Sequence, residues 1–380
     1  MCTPHASNLR ADTSHLLSRR GFLRAGAGTA AVIAATGRLR PASAQESALF
    51  CVPQDRISLQ LYTMREDMGT DLAGTLQGIH DIGFRQVEHA GYDQTEGGTA
   101  NDLKAALDTA GLRASSGHRG IPYPFDAAAM EVLIEDALVL GATSIVEPLP
   151  NFALAGLVPG IILGQAAPVS PIPGAVWADF AATLNQAGAM AADAGLRVGY
   201  HNHNPEFAPL AEGGTGYDVL LAETDPELVH FELDLYWSWA AGQDPVELLE
   251  AHPSRFKQFH VKDMDADGAI TDPGTGVIDF DRIFAAADAN NVPVQEYTIE
   301  QDNAGTDSLR TAQRGWELLT GTCAEQDLLQ ATPPASTSQD ADEPAVAPEP
   351  SGLPATGGGL VGLGAIGLAG MLALRDRTRL

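Results

Sequence analysis

Eight short runs of β-branched, aromatic and aliphatic residues recur between residues 57 and 302, and a stretch with helical periodicity separates each from the next. They are ISLQLYT (57–63), FRQVEHA (84–90), LRASSGH (112–118), TSIVEPL (143–149), LRVGYHNH (196–203), LVHFELDLYW (228–237), RFKQFHVKD (255–263) and VPVQEYTIEQD (292–302). Parallel strands need long crossovers, and amphipathic segments such as DLAGTLQGIHDIG and ADFAATLNQAGAMAADAG supply them. Several of these end on Gly, a common helix stop. Eight β-then-α units favour a closed α/β fold, the (β/α)8 or TIM barrel, over a doubly wound sheet. No GxGxxG follows any of the strands.

One connection departs from the pattern. Residues 150–176 are rich in Pro and Gly yet apolar. They follow the fourth strand, so the expectation is a lid or wall of the substrate site, with a structural flap or partner contact as the alternative.

The barrel accounts for residues 56–322 of 380, as a single domain with a short lead-in at 45–55. The remainder reads as two addresses. SRRGFLR (18–24) precedes a small and apolar run, and Ala42-Ser43-Ala44 fits the A-x-A cleavage rule. Residues 1–44 therefore resemble a Tat export signal, which implies passage through the Tat translocon. Residues 323–352 are acidic and Pro-rich, with too few large apolar side chains to fold, and read as a disordered spacer. Residues 353–380 carry LPATG, an uncharged apolar stretch and a basic end. They resemble a sortase sorting signal, with a plain membrane anchor as the alternative. Both ends imply an exported barrel attached to the cell wall or membrane, on its outer face.

The formal net charge of −27 and a pI near 4.5 repel nucleic acid and anionic lipid, so neither is an expected partner. Of the three cysteines, Cys51 and Cys323 flank the barrel, and a disulfide or two free thiols are both open.

In this architecture functional side chains stand at the C-terminal ends of strands. The fifth strand ends in His201, with His203 two residues on; the sixth ends in Asp234, the seventh in His260 and the eighth in Glu300. Each alone has an ordinary structural explanation, a core histidine or a helix cap. Four on consecutive strands at one level make a mixed N/O set suited to one divalent metal: Mn, Co, Fe, Zn or Mg.

YHNHNPEF (200–207), ELDLYWSWAAGQDPVELL (232–249), FHVKD (259–263), PGTGVIDF (273–280), YTIEQD (297–302) and LQLYTMRED (59–67) closely resemble the xylose isomerase-like group of sugar phosphate isomerases and epimerases. The resemblance covers nearly the whole barrel. It implies a metal, often Mn²⁺, held by His201, Asp234, His260 and Glu300, and a carbohydrate substrate. Two positions depart from the group's pattern. His201 stands where many epimerases have Glu, and Trp237 where a His often follows the Asp by three residues.

The implied reaction is isomerisation or epimerisation of a sugar or keto-sugar through an enediolate. Glu300 is the expected base, His203 a proton relay, and Lys262 an electrostatic stabiliser of the enediolate oxygen. Glu88, His118 and Glu147 are expected to bind sugar hydroxyls, Glu147 alternatively being a second acid or base. Trp237 and Tyr62 are expected to stack on a sugar face. The alternatives are a lyase or dehydratase acting on a keto-sugar or keto-glycoside, and a non-catalytic carbohydrate-binding barrel.

Overall fold

The computed structural model describes residues 50–92, 95, 97–149 and 172–330, with side chains to residue 321. Both terminal addresses, the spacer from residue 331 on and most of the 150–176 connection lie outside these residues; 323–330, expected to belong to the disordered spacer, continue the last helix, Ser308–Gln330. Among the described residues no helix is long and apolar enough to cross a membrane.

Eight strands form one parallel sheet: β1 (Ile57–Leu59), β2 (Gln86–His89), β3 (Arg113–His118), β4 (Ser144–Glu147), β5 (Arg197–His201), β6 (Val229–Asp234), β7 (Phe256–Val261) and, after a separate two-residue antiparallel pair β8 (Asp263–Met264) and β9 (Ile270–Thr271), β10 (Glu296–Ile299). They neighbour one another in the order β1-β10-β7-β6-β5-β4-β3-β2. A parallel bridge from Gln60 to Glu88 joins the two remaining edges. Every run singled out in the sequence contains one of these strands, and the fold is the (β/α)8 barrel.

The helices start and stop where local chemistry demands. In α3 (Ala100–Ala110) the Thr99 hydroxyl accepts from the Asp102 N–H, and the Asp102 carboxylate accepts from the Thr99 N–H; Gly111 closes the helix at φ 74°. These bonds satisfy backbone groups that a helix end otherwise leaves open. The strand in the sixth run stops at Asp234, as read from the sequence. The Asp234 carboxylate accepts the Trp237 N–H at 2.7 Å and so caps a short helix, α7 (Leu235–Ala240).

A barrel axis is usually filled by Val, Ile and Leu. Here the strands alternate the other way, with side chains such as Val198, Leu233, Val261 and Ile299 buried in the apolar core. The alternate positions are buried and polar and bond across strands. Gln60 donates to Glu88 at 2.8 Å, Ser116 donates to Glu88 at 2.6 Å, and His230 pairs with Gln258 at 2.7 Å. Ser115 donates to Glu296. Buried polar groups with partners avoid most of their desolvation cost, so this axis holds charged chemistry without unravelling.

Cys51, just before the barrel, is disulfide-bonded. The side chain of Cys323, the partner considered from the sequence, lies outside those described.

Candidate metal centre and substrate cavity

A cavity of about 680 Å³ opens at the C-terminal ends of the strands. His118, His201, His203, Trp237 and Glu300 line it, with Tyr62, Arg65, Tyr236, Asp302 and Asn303 at its sides. Ligand atoms of His201, Asp234, His260 and Glu300 lie within 4.8 Å of one another, and all four residues are buried. Asp234 Oδ2 has no hydrogen-bond partner, although Lys262 Nζ stands 3.2 Å away as an ion pair. An unpartnered buried carboxylate oxygen beside two imidazoles and a second carboxylate suits a divalent cation. The four ligands read from the strand ends thus converge.

A second group of possible ligands, His118, His201, Glu232 and His260, shares two members with the first. Glu232 Oε2 lies 2.8 Å from His118 Nε2, 3.0 Å from His201 Nδ1 and 3.1 Å from His260 Nε2. Glu88 Oε1 approaches His260 Nε2 at 2.7 Å and His118 Nε2 at 3.1 Å. The sequence reading missed Glu232. Its signal was present, because a residue two before Asp234 on a strand faces the same way.

The charges are arranged in a block. Lys262 Nζ lies 2.8 Å from Glu300, 3.2 Å from Asp234 and 2.9 Å from Asp302. One ammonium thus sits among three carboxylates, with Asp234 an ion-pair neighbour and not a hydrogen-bond acceptor. Lys262, expected to meet an enediolate oxygen, is not among the cavity-lining residues and stands against two of the candidate metal-ligating carboxylates. Burial pushes Glu300 up, but Lys262 and His260 outweigh it and hold the carboxyl low. Burial raises Asp234 to about 6 against the opposing pull of Lys262 and His260. Burial and then Lys262 hold His203 well below the usual histidine range, so it is neutral. Burial also disfavours charge on His118, yet Glu88 and Glu232 raise it to about 10.

Glu88 was expected to bind a sugar hydroxyl, but it is fully buried and engaged by Gln60, Ser116, His118 and His260. Glu147 accepts the backbone N–H groups of Ile121 and Leu149 and bridges two loops; it does not line the cavity. Burial pushes it up to about 8. By contrast His118, Trp237 and Tyr62 do face the cavity, with the Arg65 guanidinium 4.1 Å over the Tyr62 ring. His203 packs 5.4 Å from the Trp237 ring, and its Nδ1 is buried with no hydrogen-bond partner. Between the two histidines of YHNH, Asn202 accepts the Asp234 N–H at 3.0 Å and so ties the ends of β5 and β6 together.

The sequence profile of the xylose isomerase-like TIM barrel family matches residues 76–320. The chain belongs to this family. Among similar members, the xylose isomerase-like barrel is 32% identical over 139 residues to an inosose dehydratase of Clostridium beijerinckii, which is 30% of this chain and 44% of that protein. An inosose dehydratase of Geobacillus thermodenitrificans is 32% identical over 124 residues, covering 28% and 41%. The chain therefore spans less than half the length of these relatives. A crystal structure of a sugar phosphate isomerase/epimerase from Parabacteroides distasonis is 26% identical, with a TM-score of 0.55, and the match covers 71% of this chain and 96% of that one.

Proposed function

We propose that the protein is a metal-dependent isomerase or epimerase that acts on a sugar or keto-sugar by removing the proton beside a carbonyl. The observation that carries this is the convergence of His201, Asp234, His260 and Glu300, with the unpartnered oxygen of Asp234, at a cavity with room for a sugar. A divalent ion held by these four residues supplies Lewis-acid polarisation of a carbonyl and its neighbouring hydroxyl. The protein's own groups do the rest. His203, neutral and with a free Nδ1 in the cavity, takes the proton. This moves the base from Glu300, whose Oε2 is already engaged by Lys262 and His260 at 2.8 Å each. His118, cationic at the cavity wall, faces negative charge that develops on a substrate oxygen. Trp237 and Tyr62 offer aromatic faces to the sugar ring.

A dehydratase or other lyase on a keto-sugar is the second reading. An epimerase that works in both directions is best served by two matched acid–base groups. His203 and His118 are unlike, one neutral and one cationic. That asymmetry suits an elimination, in which one group takes a proton and the other delivers one to the departing hydroxyl. The inosose dehydratase relatives point the same way. The end segments support export through the Tat translocon and attachment to the envelope, by sortase or by the apolar tail.

Metal analysis of the full chain purified without chelators tests the proposal. Near-stoichiometric Mn, Co, Fe or Zn is expected, and it should fall in both His260→Ala and Glu300→Ala. Wild-type protein that remains metal-free with added Mn²⁺ would sink the mechanism and leave a carbohydrate-binding barrel. Keto-sugars incubated with the loaded enzyme in D₂O then separate the two chemistries: deuterium uptake with the carbon skeleton and oxygens retained marks an isomerase or epimerase, and loss of water marks a dehydratase.

A further inference from the structure

We infer that Glu232, fully buried one pleat below Asp234, is a positioning residue that selects which nitrogen of each metal-site histidine faces the ion. The inference rests on the metal reading above. A carboxylate accepts hydrogen bonds and donates none, so each imidazole nitrogen directed at it must carry a proton. Glu232 Oε2 is approached by Nδ1 of His201 at 3.0 Å and by Nε2 of His260 at 3.1 Å. Both nitrogens are thereby committed as N–H donors and removed from coordination. What remains is Nε2 of His201, 3.8 Å from Asp234 Oδ2, and Nδ1 of His260, which bonds Glu300 Oε2 at 2.8 Å and so holds the one further proton that this ring must release to coordinate an ion. These are the nitrogens nearest the two carboxylate ligands. One oxygen thus fixes a proton on Nδ1 of one ring and on Nε2 of the other, and leaves the opposite nitrogen of each ring facing the carboxylate ligands.

The surroundings fit a built arrangement. Glu88 reinforces the His260 choice from a second strand, its Oε1 lying 2.7 Å from the same Nε2. Gln60 and Ser116 anchor Glu88 in turn at 2.8 Å and 2.6 Å. His118 adds a third nitrogen to Glu232 at 2.8 Å. The three imidazole nitrogens cluster around a single carboxylate oxygen at hydrogen-bond distance, so Glu232 is assigned as the partner of the ligands and not as a ligand. A carboxylate behind a metal-binding histidine fixes its tautomer and raises its donor strength, and loss of such a partner commonly costs about 10–100-fold in metal affinity.

Co²⁺ titration of the metal-stripped full chain, read by its visible absorption and run beside thermal unfolding of the same metal-free protein, tests this. Glu232→Gln keeps the shape but offers an amide that can also donate, so it no longer forces both tautomers. Its expected behaviour is one Co²⁺ per chain bound about 10–100-fold more weakly than wild type, with the metal-free melting temperature near wild type. Glu88→Gln, which touches His260 but not His201, should weaken binding less, and it stands in should Glu232→Gln fail to fold. Affinity unchanged in a folded variant overturns the inference. So does complete loss of binding equal to that of Asp234→Asn, which would make Glu232 a ligand. Wild type that binds no Co²⁺ overturns the metal reading itself, and this inference with it.

Discussion

Glu296 and Glu300 stand at the two ends of strand β10, both buried, yet the protein treats them in opposite ways. Burial pushes Glu296 up to about 7; its close partners are the hydroxyls of Ser115 and Ser58 and the Gln258 amide, while Glu88 and Glu232 repel its charge. Burial pushes Glu300 up as well, but Lys262 and His260 hold it below the usual carboxylate range. The same contrast recurs elsewhere. Glu88, between His118 and His260, is held low, whereas Glu206, bonded to Tyr200, is pushed up to about 7. Neutral donors satisfy a buried carboxyl without keeping it charged; a cation within hydrogen-bond reach does both. Along this one strand, therefore, the carboxyl at the start holds its proton and the one at the end stays charged beside a cation.

The largest way to break this contrast is Lys262→Met. It leaves Asp234, Glu300 and Asp302 without their shared ammonium, so the metal-free protein should lose about 3–5 kcal/mol of unfolding free energy in urea at neutral pH. A variant as stable as wild type would show that the carboxylates do not depend on that cation. The opposite change sharpens the contrast at the floor. Glu296 has a folded value of about 7 against an ordinary 4.5, so the folded state holds its proton more tightly than the unfolded chain. Its stabilising contribution is complete below pH 4.5 and lost as pH rises through about 7. Glu296→Gln removes the ionisation, and the variant should gain about 3 kcal/mol on wild type between pH 4 and pH 8. Equal pH slopes in urea titrations of the two proteins would contradict it. The smallest effect belongs to the surface. Arg282 and Asp244 pair at 2.6 Å but remain exposed to solvent. A double-mutant cycle there should give about 0.2–1 kcal/mol, falling further in about 1 M salt.

The strands and the four converging ligands were legible because two rules suffice for them: alternation of short apolar runs with helices, and chemistry at strand ends. Glu232, Glu88 and Lys262 were harder. Reading only the last residue of each strand looks at one layer, and these side chains do their work one layer down or between ligands. A period-two reading of HFELD and QVEH would have placed Glu232 and Glu88 on the inward face; nothing in the sequence says that one carboxylate would gather three histidines from three other strands. The short helix after the sixth strand went unread because an Asp that closes a strand can also open a helix, and the β propensity of Tyr236 and Trp237 masked that switch. The short hairpin of β8 (Asp263–Met264) with β9 (Ile270–Thr271) escaped notice because two-residue strands carry no periodicity.

Asp263 follows Lys262 directly, and adjacent residues of an extended chain face opposite ways. The Asp263 carboxylate accepts the N–H groups of Gly274 at 3.0 Å and Gly276 at 2.9 Å, as well as those of Met264 and Ile278. A slip of this strand by one residue would thrust the carboxylate among Asp234, Glu300 and Asp302 and leave the ammonium facing amide hydrogens of its own sign. Both errors are electrostatic, and both arise from a single step. The pair thus works as a keyed joint: the segment seats in one alignment only, and the loop at the cavity's edge cannot come to rest until the charges beneath it are correctly placed.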